Sequence, residues 1–180
     1  LKSLKLRTVQ ELFDYLGEQG AQQIIRLNLE GYFPQIKEKD VKFLVEKFPK
    51  LQILSLKFCG VNDKITQHLR PLKFLINLDL SFNQSIEDLD FLSDFKELVH
   101  LNLDNCVSVN SLAPLKGDKL KTINLARCFK INIKELKHLK CEDLEHPLTE
   151  LNVSSCDLNN LKFLKLFPNL TTLNLTGCDQ

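Results

Sequence analysis

No stretch of about 18 apolar residues occurs anywhere in the chain, which excludes a membrane-spanning helix. Excess charge is missing too. The 24 Lys+Arg and 23 Asp+Glu leave a net charge of +1, which argues against a dedicated nucleic-acid or membrane-surface binder, since such proteins carry a basic surplus. Tryptophan and methionine are absent, so any aromatic anchor must come from twelve phenylalanines and two tyrosines. The 180 residues suffice for one well-buried domain and fall short of two large ones. The chain opens on Leu1, so a processed or trimmed start is expected.

Leucine dominates what is present: 37 residues, about a fifth of the chain, in a regular pattern. A nine-residue phrase, L-x-x-L-x-L-x-x-(N/C), recurs seven times with small departures. It reads Ile24-Leu27-Leu29-Tyr32, Leu51-Leu54-Leu56-Cys59, Leu75-Leu78-Leu80-Asn83 and Leu98-Leu101-Leu103-Cys106. Leu120-Ile123-Leu125-Cys128, Leu148-Leu151-Val153-Cys156 and Leu170-Leu173-Leu175-Cys178 complete the set. The starts at 24, 51, 75, 98, 120, 148 and 170 are spaced by 27, 24, 23, 22, 28 and 22 residues. The L-x-L pair alternates with period two, so both side chains point to one side of a short strand. One copy cannot bury its apolar face, whereas stacked copies share a continuous core, each inward Leu contributing roughly 1.5–3 kcal/mol. The strands should therefore form a parallel sheet, with the connections on the opposite side.

Those connections differ in kind. Asp40–Phe48 has helical spacing, with apolar residues at 41, 44, 45 and 48, and Pro49 stops it. In shorter repeats Ile86, Leu89, Leu92, Phe95 and Leu98 recur every third residue, as do Leu161, Leu164, Phe167 and Leu170 after Leu158, which suits a 3₁₀ turn. Thr8-Val9-Gln10-Glu11 is a capping box, and Val9, Leu12, Phe13 and Leu16 follow on one face until Gly17 and Gly20. Residues 4–20 are thus expected to form a capping helix within an N-terminal cap, 1–23, over seven repeats, 24–180. The last phrase ends two residues before Gln180, so either the array continues or another segment covers its edge.

Five of the six cysteines (Cys59, Cys106, Cys128, Cys156, Cys178) share the phrase's inward ninth position, where a weak donor can meet loop carbonyls, as Asn does better. Ladder neighbours about 4.8 Å apart with parallel side chains keep Cβ atoms beyond the ~3.8 Å of a disulfide. Free buried thiols, and hence a reducing, cytoplasmic compartment, are expected. The Asn-x-Ser/Thr sites at Asn83, Asn152, Asn169 and Asn174 agree, because glycans on Asn83, Asn152 or Asn174 would disrupt packing or cover the strand face. His138-x-x-Cys141 with His146 is a partial metal-like spacing that nothing completes, so no metal and no cofactor are expected.

Solvent-facing strand positions form polar columns: Asn28, Ser55, Asp79, Asn102, Asn124, Asn152 and Asn174, and before it Arg26, Ile53, Asn77, His100, Thr122, Glu150 and Thr172. A rim column carries Phe58, Phe82, Asn105 and Arg127. Exposed aromatics beside Arg anchor protein interfaces, so Phe58, Phe82, Asp79, His100, Asn102, Asp104, Asn124 and Arg127 are the candidate partner-contacting residues. The competing reading is that both rings fold over the loop edge and cover neighbouring repeats. Seven strands offer roughly 500 Å² of face, short of the ~800 Å² per side of a stable interface, so the rim has to contribute. His100 near Asp79, Asn102 and Asp104 is the one histidine expected on the strand face; with no activated nucleophile or phosphate-binding Gly loop, an enzyme is not expected.

The seven phrases resemble leucine-rich repeat proteins, and the L-x-x-L-N-L-x-x-C form at 98–106, 148–156 and 170–178 resembles their cysteine-containing subtype. The resemblance implies an α/β right-handed horseshoe with its parallel sheet on the concave face and mixed α and 3₁₀ segments on the convex face. It also implies a protein partner, with no nucleic acid and no membrane span; a monomer is expected. That subtype includes ubiquitin-ligase substrate adaptors and effectors of intracellular bacteria, and the short repeats resemble phosphatase-regulatory proteins. Twenty Lys against four Arg resembles proteins of AT-rich genomes, including amoeba-adapted pathogens, for which the host cytosol would be the site of action. An adaptor would carry an F-box; Val9–Leu16 resembles one helix of it, and a plain capping helix is the preferred reading.

Overall fold

In a computed structural model, which describes residues 8–30, 35–115, 119–132, 134–140, 148–158 and 160–178, the seven phrases form seven strands of three residues each. These are β1 (Arg26–Asn28), β2 (Ile53–Ser55), β3 (Asn77–Asp79), β4 (His100–Asn102), β5 (Thr122–Asn124), β6 (Glu150–Asn152) and β7 (Thr172–Asn174). They lie in one open sheet in chain order, every pair parallel. Registration is strict: each central leucine or isoleucine faces its counterpart, Leu27 on Leu54, Leu54 on Leu78, and onward to Leu151 on Leu173. From Leu54 to Leu151 this column is essentially dry, as hydrophobic burial demands of a stripe no single repeat can cover.

The first end of the array is covered by α1 (Val9–Ala21), whose Thr8 hydroxyl accepts the Glu11 N–H at 3.1 Å. The helix expected over 4–20 thus begins at Val9 and reaches Ala21; residues 4–7 lie outside the described residues. Gly17 sits inside it at φ 68°, kinking the helix in a conformation that Gly adopts without steric penalty. Phe13 packs edge-on against Phe43 and Phe48, with ring centroids 5.4 and 6.5 Å apart, joining α1 to α2 (Glu38–Lys47). Val9 and Ala21 are fully buried there.

Behind the other strands the helical segments shorten. A single turn, α3 (Asp63–Thr66), leads into a 3₁₀ turn at Gln67–Leu69, and 3₁₀ segments occupy Asp90–Asp94, Glu135–Leu139 and Lys162–Leu166. The period-three leucines make Asp90–Asp94 and Lys162–Leu166 the tight turns expected, with one departure. Leu89 is 1% exposed but its counterpart Leu161 is 56% exposed, because no described segment stacks on the C-terminal side of Lys162–Leu166. No described helix is long and apolar enough to cross a membrane.

Candidate functional site

The ninth phrase position closes each repeat onto the one before. The Cys106, Cys128, Cys156 and Cys178 thiols donate to the carbonyls of Leu80, Leu103, Leu125 and Val153 at 3.0–3.2 Å, and Cys59 reaches Leu29 at 3.5 Å. Asn83, 1% exposed, does more. Its Nδ2 donates to Leu56 and Leu80 carbonyls at 2.9 and 2.8 Å, while Oδ1 accepts the Cys59 and Val61 N–H groups at 3.2 and 2.9 Å. The five described cysteines are free; burial pushes the thiols of Cys59, Cys106 and Cys156 up to about 12 and raises that of Cys128 as well.

The eighth position does something different. Phe58, Phe82, Asn105, Arg127, Ser155 and Gly177 all have φ between 56° and 70°, the left-handed region. Each of the first five donates its N–H to the carbonyl at the seventh position of the next repeat: Ser81, Asp104, Ala126, Ser154 and Thr176. The turn therefore sets the backbone, and residue type has to follow or resist. Asn and Gly tolerate such a φ; a bulky aromatic there costs roughly 1–2 kcal/mol.

The two candidate aromatics part company. Phe58 projects from the rim, 61% exposed. Phe82 is half-buried beneath two cations, the Lys57 ammonium 5.7 Å and the Arg127 guanidinium 5.6 Å from its ring centre. Arg127 is also paired with Asp104 at 2.6 Å, and Lys57 with Glu30 at 2.7 Å. Glu30 holds the Lys57 ammonium above its ordinary pKa, with Asp79 and Asp104 adding from further off. The rim thus joins Phe82, Asp104 and Arg127 into one patch, with Phe58 at the same position one repeat before Phe82. Lys57 belongs to it as well, and its place in the column before Phe58 was the available signal.

The remaining candidates line the strand face. Asp79, Asn102 and Asn124 each turn one side-chain oxygen back to accept the N–H two residues on, at 2.9–3.0 Å, as do Asn152 and Asn174. This column therefore ends the strands, a role its Asx composition signalled and partner contact alone does not explain. The second Asp79 oxygen and the asparagine Nδ2 groups make no hydrogen bond among the described residues. His100 Nδ1 lies 2.9 Å from the Thr122 hydroxyl. Together Asn77, Asp79, His100, Asn102, Thr122, Asn124, Glu150, Asn152, Thr172 and Asn174 line a shallow trough of about 690 Å³. Glu150 on this face is a residue the candidate set left out.

No group of three His, Cys, Asp or Glu able to hold a metal occurs among the described residues. Of the metal-like spacing, His138 lies on the 3₁₀ segment Glu135–Leu139, while Cys141 and His146 lie outside the described residues.

No family model matches the chain. It is 30% identical over 134 residues to the Trypanosoma equiperdum protein named "Putative adenylate cyclase regulatory protein", across 71% of this chain and 20% of that protein. Among solved structures it resembles two internalins of Listeria monocytogenes. Internalin C2 superposes with a TM-score of 0.56 at 23% identity, over 74% of this chain and 55% of that one. The internalin inlF gives a TM-score of 0.58 at 16% identity, over 94% of this chain and 68% of that one. The chain thus spans a fifth of the curated relative and about half of the internalin C2 chain. With the strand register above, these likenesses define the fold: an open, parallel-sheet solenoid of the leucine-rich repeat type.

Proposed function

We propose that this chain is a recognition module that binds a protein partner through its strand face and the adjoining rim, without catalysing a reaction. Phe58 carries the reading: a bulky aromatic, mostly exposed, held at a left-handed turn that Asn105 and Gly177 fill without strain elsewhere in the array. The fold gains little burial and no backbone ease from that ring, and residues kept against local preference cluster at functional sites. Phe82 follows at the same position of the next repeat, under Arg127, which pairs with Asp104, and the trough of Asp79, His100, Asn102 and Asn124 extends the surface toward the size an interface needs. The relative named for regulating adenylate cyclase is consistent with a role exercised through binding. Buried free thiols support a reducing compartment, and we favour an effector acting in the host cytosol over an F-box-type adaptor.

Affinity capture from a host-type cytosolic lysate tests this, comparing the protein with Phe58→Asn combined with His100→Ala. Neither residue carries a core contact, so the variant should fold. The reading predicts a partner retained by the parent and lost from the variant; equal recovery from both would contradict it.

A further inference from the structure

The trough differs in charge from the rest of the molecule. No described lysine or arginine lines it, while two carboxylates do, Asp79 and Glu150. Neither is engaged in an ion pair among the described residues. The cations at the rim, Lys57 and Arg127, are already neutralised by Glu30 and Asp104, and Lys121 stands just before β5, outside the lining. Between the two acids run Asn102, Asn124 and Asn152, whose Oδ1 atoms are tied to the backbone. The face is therefore a polar floor of asparagines, threonines and His100 with a carboxylate toward each end.

Resting on the protein-binding reading, we infer that this trough receives a cationic segment of the partner, one carrying arginine or lysine at two places. Strand geometry gives the spacing. Asp79 and Glu150 stand three strands and two residues apart, about 14 Å across the sheet and about 7 Å along it, hence about 16 Å on the diagonal. An extended segment covers that in about five residues at ~3.3 Å each. Guanidinium suits such a site better than ammonium, because its planar fork bonds a carboxylate through two N–H groups. An acidic segment would meet both carboxylates with no lysine or arginine in the floor to offset them.

The test uses acetylated, amidated nona-arginine as the probe, with nona-glutamate as its opposite, titrated at 0.15 M salt. Binding is read by calorimetry and by the side-chain amide NMR signals of Asn102, Asn124 and Asn152. Nona-arginine should bind and shift those signals, and Asp79→Asn with Glu150→Gln should weaken it about tenfold, two exposed charge pairs' worth. Glu87→Gln with Asp88→Asn, two acids away from the sheet, should leave binding within about twofold. No binding of nona-arginine, equal weakening by both double variants, or tighter binding of nona-glutamate would overturn the inference. If nona-arginine fails while the lysate partner is still lost on Phe58→Asn with His100→Ala, this inference falls and the protein-binding reading stands; if both experiments fail, both fall.

Discussion

Two neighbouring columns of the repeat follow opposite rules. At the ninth position the side chain serves the backbone: Cys59, Asn83, Cys106, Cys128, Cys156 and Cys178 each donate a hydrogen bond to a carbonyl of the preceding repeat, and all but Cys178 are buried. At the eighth the backbone is already committed to a left-handed turn, and Phe58 and Phe82 occupy it against their own preference. The first column is what a stack of repeats needs in order to close. The second retains residues that closure does not ask for, and there we place the proposed partner contacts.

The ninth column breaks most visibly in alkali. Burial pushes the Cys106 and Cys156 thiols up to about 12, so in alkali the folded state keeps protons that the unfolded state loses. The thiols' contribution to stability should be constant up to about pH 8 and fall from about pH 9 toward 12, by about 1.4 kcal/mol per pH unit for each thiol still protonated in the fold. Urea unfolding under reducing conditions measures this, and Cys106→Ala should lessen the slope by one thiol's share. Asn83→Ala strands two N–H donors and removes the amide donor to two carbonyls, so it should cost about 3 kcal/mol by urea denaturation. Asn83→Cys, copying the other repeats, should cost roughly half of that. Cys128→Ala, losing one weak bond to the Leu103 carbonyl, should cost about 1 kcal/mol on the same assay.

Much of this contrast was legible beforehand, for physical reasons. The L-x-L alternation can face a core only as a strand, and it placed all seven strands. Period-three leucines gave the 3₁₀ segments at Asp90–Asp94 and Lys162–Leu166. The inward cysteines followed from a shared position and a weak donor. What escaped depended on neighbours or on φ. Leu161 has the periodicity of a buried residue and lacks a described segment to cover it. Asp79, Asn102 and Asn124 look like a binding column by polarity, yet each spends one oxygen on ending its strand. The left-handed turn had a signal in Asn105 and Gly177, which favour positive φ, but Phe58, Phe82 and Arg127 in the same column masked it. Periodicity does not distinguish the two rings at this position: Phe82 lies under Lys57 and Arg127, and Phe58 stays open.

The claim that Phe58 is held at the fold's expense has a direct test in the stability of Phe58→Asn. Asparagine suits the left-handed turn, as Asn105 does two repeats on, and little burial is lost from a ring 61% exposed. Urea denaturation at neutral pH should show the variant more stable than the parent by about 0.5–1 kcal/mol, the part of the left-handed strain not offset by the ring's remaining contacts. A variant less stable than the parent would show that the ring serves the fold, and would contradict the separation of the two columns.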